Sequence, residues 1–172
     1  MTISMYESSV GVFSQYLGSL SDILDRAAAH AAERQIDPSI LLHARLYPNM
    51  YDLTRQIGEA NRHAALACAL LSGTEPPPIS ADSAPDFSGL KAQIAAVTLF
   101  MRKLPPEDIN GAADKEVVFT FRNGSTRTFT GKSLLLTFSA PQFFFHVTTA
   151  YDILRHNGVD LAKKHFLGTP KT

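Results

Sequence analysis

Imidazole is both the commonest metal ligand and the usual general base, so the six histidines of this chain are the first place to look for chemistry. Two of them, His146 and His156, share the stretch PQFFFHVTTAYDILRHNG at residues 141–158, a single helical pattern ended by Asn157-Gly158. Ligands of one ion on one helix stand at i and i+3 or i+4. Ten residues set His146 and His156 about 15 Å apart along the axis and about 80° apart around it, so they cannot share an ion. His146 falls on the flank of the apolar seam and His156 faces outward. On an earlier helix, Asn61 lies near the centre of the apolar face and His63 at its edge. A pocket built from Asn61, His63, His146 and Tyr151 is one reading. The plainer one makes His146 a hydrogen-bonded structural side chain. An unpaired buried amide costs roughly 1–3 kcal/mol, so Asn61 should meet a polar group of the last long helix, His146 first. No cofactor is expected, and His63 and His146 are the only candidates for holding a metal.

Other chemistries find less support. Cys68 sits among alanines and leucines, where a thiol is inert core. GxSxG, GxGxxG and P-loop patterns are missing from the sequence. Asp52, Glu59 and Asp152 fall on polar helix faces, which leaves no paired carboxylates for acid–base work. Asp152 and His156, at i and i+4, read as a surface ion pair. His30, His43 and His165 read as surface residues.

Sixteen basic and sixteen acidic residues cancel without forming a block of either sign, which disfavours a nucleic-acid binder. A lone cysteine excludes an intrachain disulfide and points to a reducing, cytoplasmic setting. Neither a membrane span nor a secretory signal is evident in the pattern of apolar residues. At 172 residues and 45% hydrophobic content, the chain reads as one domain, 1–172, able to bury a core unaided.

Four long helices would position these side chains. Residues 4–34 carry Val10, Phe13, Leu17, Leu20, Leu24, Ala27 and Ala31 in steps of three and four. Asp37-Pro38 caps and opens a short helix that ends before Pro48. A second long helix runs over 49–72, stopped by Gly73, and the proline-rich run TEPPPISADSAPD follows as a crossover loop. The third spans 87–104 and ends at Pro105-Pro106. The period then changes to two: VVFTF and TRTFT flank Asn123-Gly124, the signature of a two-residue hairpin turn. The last helical region, 132–157, contains Pro141, which should kink or split it. Its seam is expected at Phe144, Val147, Tyr151 and Leu154. The prediction is an all-α, up-down four-helix bundle with a small β-hairpin inserted before the last long helix.

This layout resembles the DinB/YfiT-like superfamily of bacterial four-helix bundles, in a branch of unknown function marked by its fourth helix. The residues that carry the resemblance are FFFHVTTAYDILRHNG, then Lys163 and Phe166-Leu167-Gly168, with Pro48-Asn49-Met50 and Leu71-Ser72-Gly73 on the second helix. Better-known members of that superfamily bind a divalent metal through three histidines, one from the second helix and two spaced by four on the fourth. Here Ala150 stands four after His146, so the pair is broken. The resemblance implies a fold, and for activity two alternatives. One is a non-catalytic or small-ligand-binding bundle. The other is a transferase or hydrolase dependent on a divalent metal such as Zn or Ni.

Phe145 and Thr149 are expected on the face turned away from the core, where an exposed phenylalanine needs cover. Either the hairpin supplies it or a second copy of the chain does, and a homodimer through this face is the expectation.

Overall fold

Three helix starts are fixed by aspartates whose carboxylates take up orphan amides. In the computed structural model, which describes residues 3–79 and 86–170, the N–H of Ser39 donates to Asp37, that of Arg55 to Asp52, and that of Gly89 to Asp86. Helix α1 (Val12–Glu33) is entered through a π-helical turn at Glu7–Gly11. The short α2 (Pro38–Leu42) leads to α3 (Leu53–Ser72), which starts four residues later than the apolar pattern suggests because Asp52 is its cap. Gly73, at φ 74°, closes α3 in the left-handed conformation expected of such a stop. Of the proline-rich connector, residues 75–79 belong to no regular element and 80–85 lie outside the described residues. Helix α4 (Phe87–Arg102) and the short α5 (Pro106–Asn110) precede the hairpin.

Strands β1 (Glu116–Thr120) and β2 (Thr126–Thr130) pair antiparallel, Glu116 opposite Thr130 and Thr120 opposite Thr126. The turn is not the two-residue type that Asn123-Gly124 suggests. Phe121 pairs with Ser125, and Gly124 at φ 82° donates back to the Phe121 carbonyl, leaving Arg122, Asn123 and Gly124 as a three-residue loop. The Asn123 side chain stabilises it by accepting the Ser125 N–H at 3.0 Å. This loop carries Arg122 to the mouth of the site described below.

After the hairpin, the single turn α6 (Gly131–Ser133) passes into a π-helical segment, Leu134–Ser139, and then α7 (Ala140–His156). Pro141 therefore sits in the first turn of α7, after the widened turns, where its missing N–H is least costly. The C-terminal α8 (Lys163–Leu167) returns onto α1.

Helices α1 and α3 each pack on both α4 and α7, so they occupy opposite corners of a four-helix bundle. Phe13, Leu17, Ile57, Leu90 and Phe143 are among its fully buried side chains. A second, smaller cluster of Val117, Phe119 and Leu134 lies between the hairpin and α3, with Leu66, Leu70, Phe121, Phe129 and Phe138 at its edge. In α7 the buried face runs through Phe143, His146, Val147, Ala150, Ile153 and Leu154. Phe144 and Tyr151, expected in the seam, are displaced to its flank. There Phe144 packs edge-on to Tyr16, and Phe166 of α8 wedges against Tyr16 and Tyr151. No helix among the described residues is long and apolar enough to cross a membrane.

Gly131 marks the tightest join between hairpin and bundle. A Cβ there would stand 2.1 Å from the Ala112 carbonyl oxygen and 2.9 Å from a Leu71 methyl. Gly131→Ala should therefore cost about 1–3 kcal/mol of unfolding free energy, as overpacking against fixed backbone does. Gly18, mid-helix with nothing within 4 Å of its added carbon, should behave oppositely. Gly18→Ala gains up to about 1 kcal/mol from helix propensity. Urea unfolding of the two variants checks both signs.

Candidate functional site

Helix α3 is buried on almost every side: α4 and α7 cover one half, while the hairpin leans on the other. Charged and polar residues that a lone amphipathic helix would point at water are therefore enclosed. Glu59 is the clearest case, with only 4% of its surface exposed. Its carboxylate is surrounded by guanidiniums. Arg55 approaches Oε1 at 3.9 Å, Arg62 approaches Oε2 at 3.6 Å, and Arg122 of the hairpin loop hydrogen-bonds Oε1. Arg55 also lies over the Tyr51 ring, 4.3 Å from its centre.

One turn along α3 from Glu59, the His63 ring stacks on His146 of α7, centroids 5.7 Å apart and 15° from parallel. Tyr51 also lies nearly parallel to His146, centroids 6.5 Å apart, and Phe138 meets His63 edge-on at 6.0 Å. The tautomer of His146 is set by a relay. The Gln56 amide nitrogen donates to the Tyr51 carbonyl at 3.2 Å, which turns its oxygen toward His146 Nδ1, 2.7 Å away. Nδ1 must carry the proton, and Nε2 keeps its lone pair.

Tyr51, Glu59, Arg62, His63, Arg122 and His146 line a cavity of about 440 Å³ together with Phe119, Phe121, Phe138, Asn123 and Gln142. Burial is the main reason that His63 is pushed down to about 3, with the charges of His146, Arg62 and Arg122 adding to it. His146 falls to about 4 through burial and then Arg62. Both imidazoles are neutral at pH 7, and His63 Nδ1 is buried without a hydrogen-bond partner among the described residues.

Of the residues singled out from sequence, His63 and His146 come together here and the others do not. Tyr151 faces α8 and lines no part of this cavity. Asn61 is fully buried, yet neither side-chain polar atom has a hydrogen-bond partner among the described residues, and His146 is taken by Gln56 instead. Thr149, expected outward, is buried, its hydroxyl donating to the Phe145 carbonyl at 2.7 Å. The outward stripe of α7 is one step round, through Pro141, Phe145, Thr148 and Asp152. Phe145 remains 54% exposed because the hairpin covers Phe138 rather than it. Among the described residues Asp152 and His156 form no ion pair; Arg155 approaches Asp160 instead. Cys68 is buried and its thiol is pushed up to about 12, which suits an inert core residue.

Glu59, Arg62, Gln56 and Arg122 were not legible as site residues. The available signal was the spacing: Glu59 and His63 at i and i+4 share one face, with Arg55 and Arg62 beside them. Glu59, His63 and His146 each offer one ligand atom, all within 4.8 Å of one another. Two nitrogens and a carboxylate are a suitable donor set for a divalent ion. Against this, an ion must draw Glu59 away from its guanidiniums.

Protonation of the two histidines supplies one test. Their values in the folded chain lie below the ordinary 6.5, so the unfolded chain takes up protons first. They contribute stability above pH 6.5 that is lost as pH falls toward about 4 for His146 and about 3 for His63. The imidazole resonances of both should stay in the neutral form between pH 7 and 5. His63→Phe should flatten the loss of stability below pH 6.5. Asn61 supplies another. Asn61→Leu replaces an unsatisfied buried amide with an apolar side chain of the same branching, and chemical unfolding should register a gain of about 1–3 kcal/mol if the added volume is accommodated.

Residues 5–167 match the model of the family described as domain of unknown function DUF1993. Among solved structures, the chain is similar to the crystal structure of a DinB family member protein from Shewanella denitrificans. The two share 31% identity with a TM-score of 0.88, over 97% of this chain and 94% of that one. No curated protein matches the chain by sequence. With a family match across nearly its whole length and a DinB neighbour over the same span, the chain belongs to the DUF1993 family, within the DinB-like four-helix bundles.

Proposed function

We propose that this protein is a non-catalytic, small-ligand-binding member of its family, with the ligand seated between α3, α7 and the hairpin loop. The observation that carries this reading is the pair of neutral, stacked imidazoles, His63 and His146, facing a cavity with phenylalanine walls. Its volume of about 440 Å³ falls in the range that small-molecule pockets occupy. Three phenylalanines and a tyrosine share its wall with charged and polar side chains, an arrangement that suits one oriented small molecule. The single buried thiol supports action in a reducing compartment such as the cytoplasm. Screening a fragment library by NMR tests the reading. Hits should shift the resonances of His63, His146 and Phe138, and hits confined to other surfaces would refute it.

A second reading has one observation in its favour: the closeness of Glu59, His63 and His146. It makes the protein a divalent-metal-dependent transferase or hydrolase, with Glu59, His63 and His146 as the residues that hold the ion. The ion would supply Lewis acidity there, while Gln56 fixes the His146 proton on Nδ1. Ala150 and the guanidiniums around Glu59 favour the first reading. Thermal unfolding of protein purified without a histidine tag, with and without chelator, separates the two. The curves should coincide, and a chelator-induced loss above about 1–2 kcal/mol turns the choice to the metal.

Self-association through α7 belongs to the same reading, with Phe145 as its centre and Thr148 in place of Thr149. Burying one phenylalanine contributes roughly 1.5–3 kcal/mol, which helps an interface without making one. Phe145→Glu should convert dimers into folded monomers in sedimentation experiments. A wild type that is monomeric at tens of micromolar ends the idea.

A further inference from the structure

We infer that the occupant of the α3–α7–hairpin cavity is a small organic anion: a carboxylate or phosphate-ester group on a flat apolar body. Arg62 and Arg122 take its charge, and Phe119, Phe121 and Phe138 take its body. The inference rests on the ligand-binding reading above and gives that ligand its chemical class.

The charge balance of the site comes first. Among the described residues Glu59 is the single carboxylate in the cavity wall, and two guanidiniums, Arg62 and Arg122, share that wall with it. Both imidazoles beside them are neutral, so positive charge in the wall exceeds negative by one. The field is felt by the histidines themselves, for Arg62 is among the causes that disfavour a proton on each. A cation entering this space meets the same repulsion and finds the Glu59 carboxylate engaged. An anion meets attraction.

Hydrogen-bonding capacity points the same way. Arg62 lines the cavity with 22% of its side chain exposed, and at 3.6 Å its approach to Glu59 is a charge pairing without hydrogen-bond distance. Its planar fork of donors makes no hydrogen bond among the described residues, and such a fork matches an oxyanion in two-point fashion. His63 Nδ1, also unpartnered, adds a polar group beside it. Arg122 arrives on the hairpin loop, 47% exposed, so it can serve Glu59 and a ligand together. The body of the ligand faces Phe119, Phe121 and Phe138, which pack edge-to-face and present flat ring surfaces.

Four probes test this on the wild-type chain by NMR of the His63 and His146 imidazoles and by calorimetry: phenylacetate, phenyl phosphate, neutral phenylacetamide and inorganic phosphate. Phenylacetate or phenyl phosphate should bind at least about tenfold more tightly than phenylacetamide, and the tighter of the two tells carboxylate from phosphate. Affinity should fall with added salt. Arg62→Gln should weaken the anions by about tenfold or more while leaving phenylacetamide unchanged. The wild-type imidazole shifts decide the matter should that variant fold poorly. If phenylacetamide moves His63 as strongly as phenylacetate, the anion class is wrong and the cavity still stands as a ligand site. If inorganic phosphate binds as well as phenyl phosphate, the apolar body is wrong. If no probe moves either imidazole up to about 10 mM and no library fragment does, both this inference and the ligand-binding reading fall.

Discussion

The buried carboxylate of Glu59 is the constraint on which the surroundings depend. An ionised carboxylate cannot be withdrawn from water without charged or hydrogen-bonding partners. Here the partners come from its own helix, through Arg55 and Arg62, and from the hairpin, through Arg122. The last of these ties the three-residue loop to the bundle and fixes where the aromatic inner face of β1 lies. Once the loop is placed, Phe119 and Phe121 wall one side of the cavity and the imidazoles wall the other. Electrostatics therefore positions what apolar packing alone would leave loosely specified.

The arrangement of the histidines illustrates how a polar cluster is kept in one state inside a bundle. Gln56 spends its amide nitrogen on a backbone carbonyl and its oxygen on His146, so the proton of that ring has one place to be. His63 gains no such partner and is held by stacking between His146 and Phe138. The two rings thus present different chemistry to the cavity: one with a fixed tautomer, the other with a polar edge still unsatisfied.

Helix periods, caps and breakers made the bundle legible from sequence, because each long helix buries a stripe and each break has a residue that causes it. Asp37, Gly73 and Asn157-Gly158 read correctly for that reason. The site was less legible, since burial by a neighbouring element leaves no trace in a helix's own period. Glu59 reads as surface when α3 is taken alone and becomes core when the hairpin covers it. Thr149 and Tyr151 missed by a single step of rotation. The triple phenylalanine fits several phases of α7, and the one adopted buries Phe143 against Phe13 and leaves Phe145 exposed. Asn61 was placed rightly on the apolar face, but no rule of pattern supplies its missing partner.

The two apolar clusters have a consequence for how the molecule holds together. Hairpin and bundle meet across the smaller cluster, to which both contribute, and are joined besides by the close approach at Gly131 and the Arg122–Glu59 pair. A hairpin held to a bundle along one face is the kind of unit that opens at a lower free energy than the whole domain, and its amides would exchange with solvent through that opening. The cavity lies on the boundary between the two units and takes its walls from both. Whatever fills it acts as mortar, lowering the population of the detached form in proportion to its occupancy.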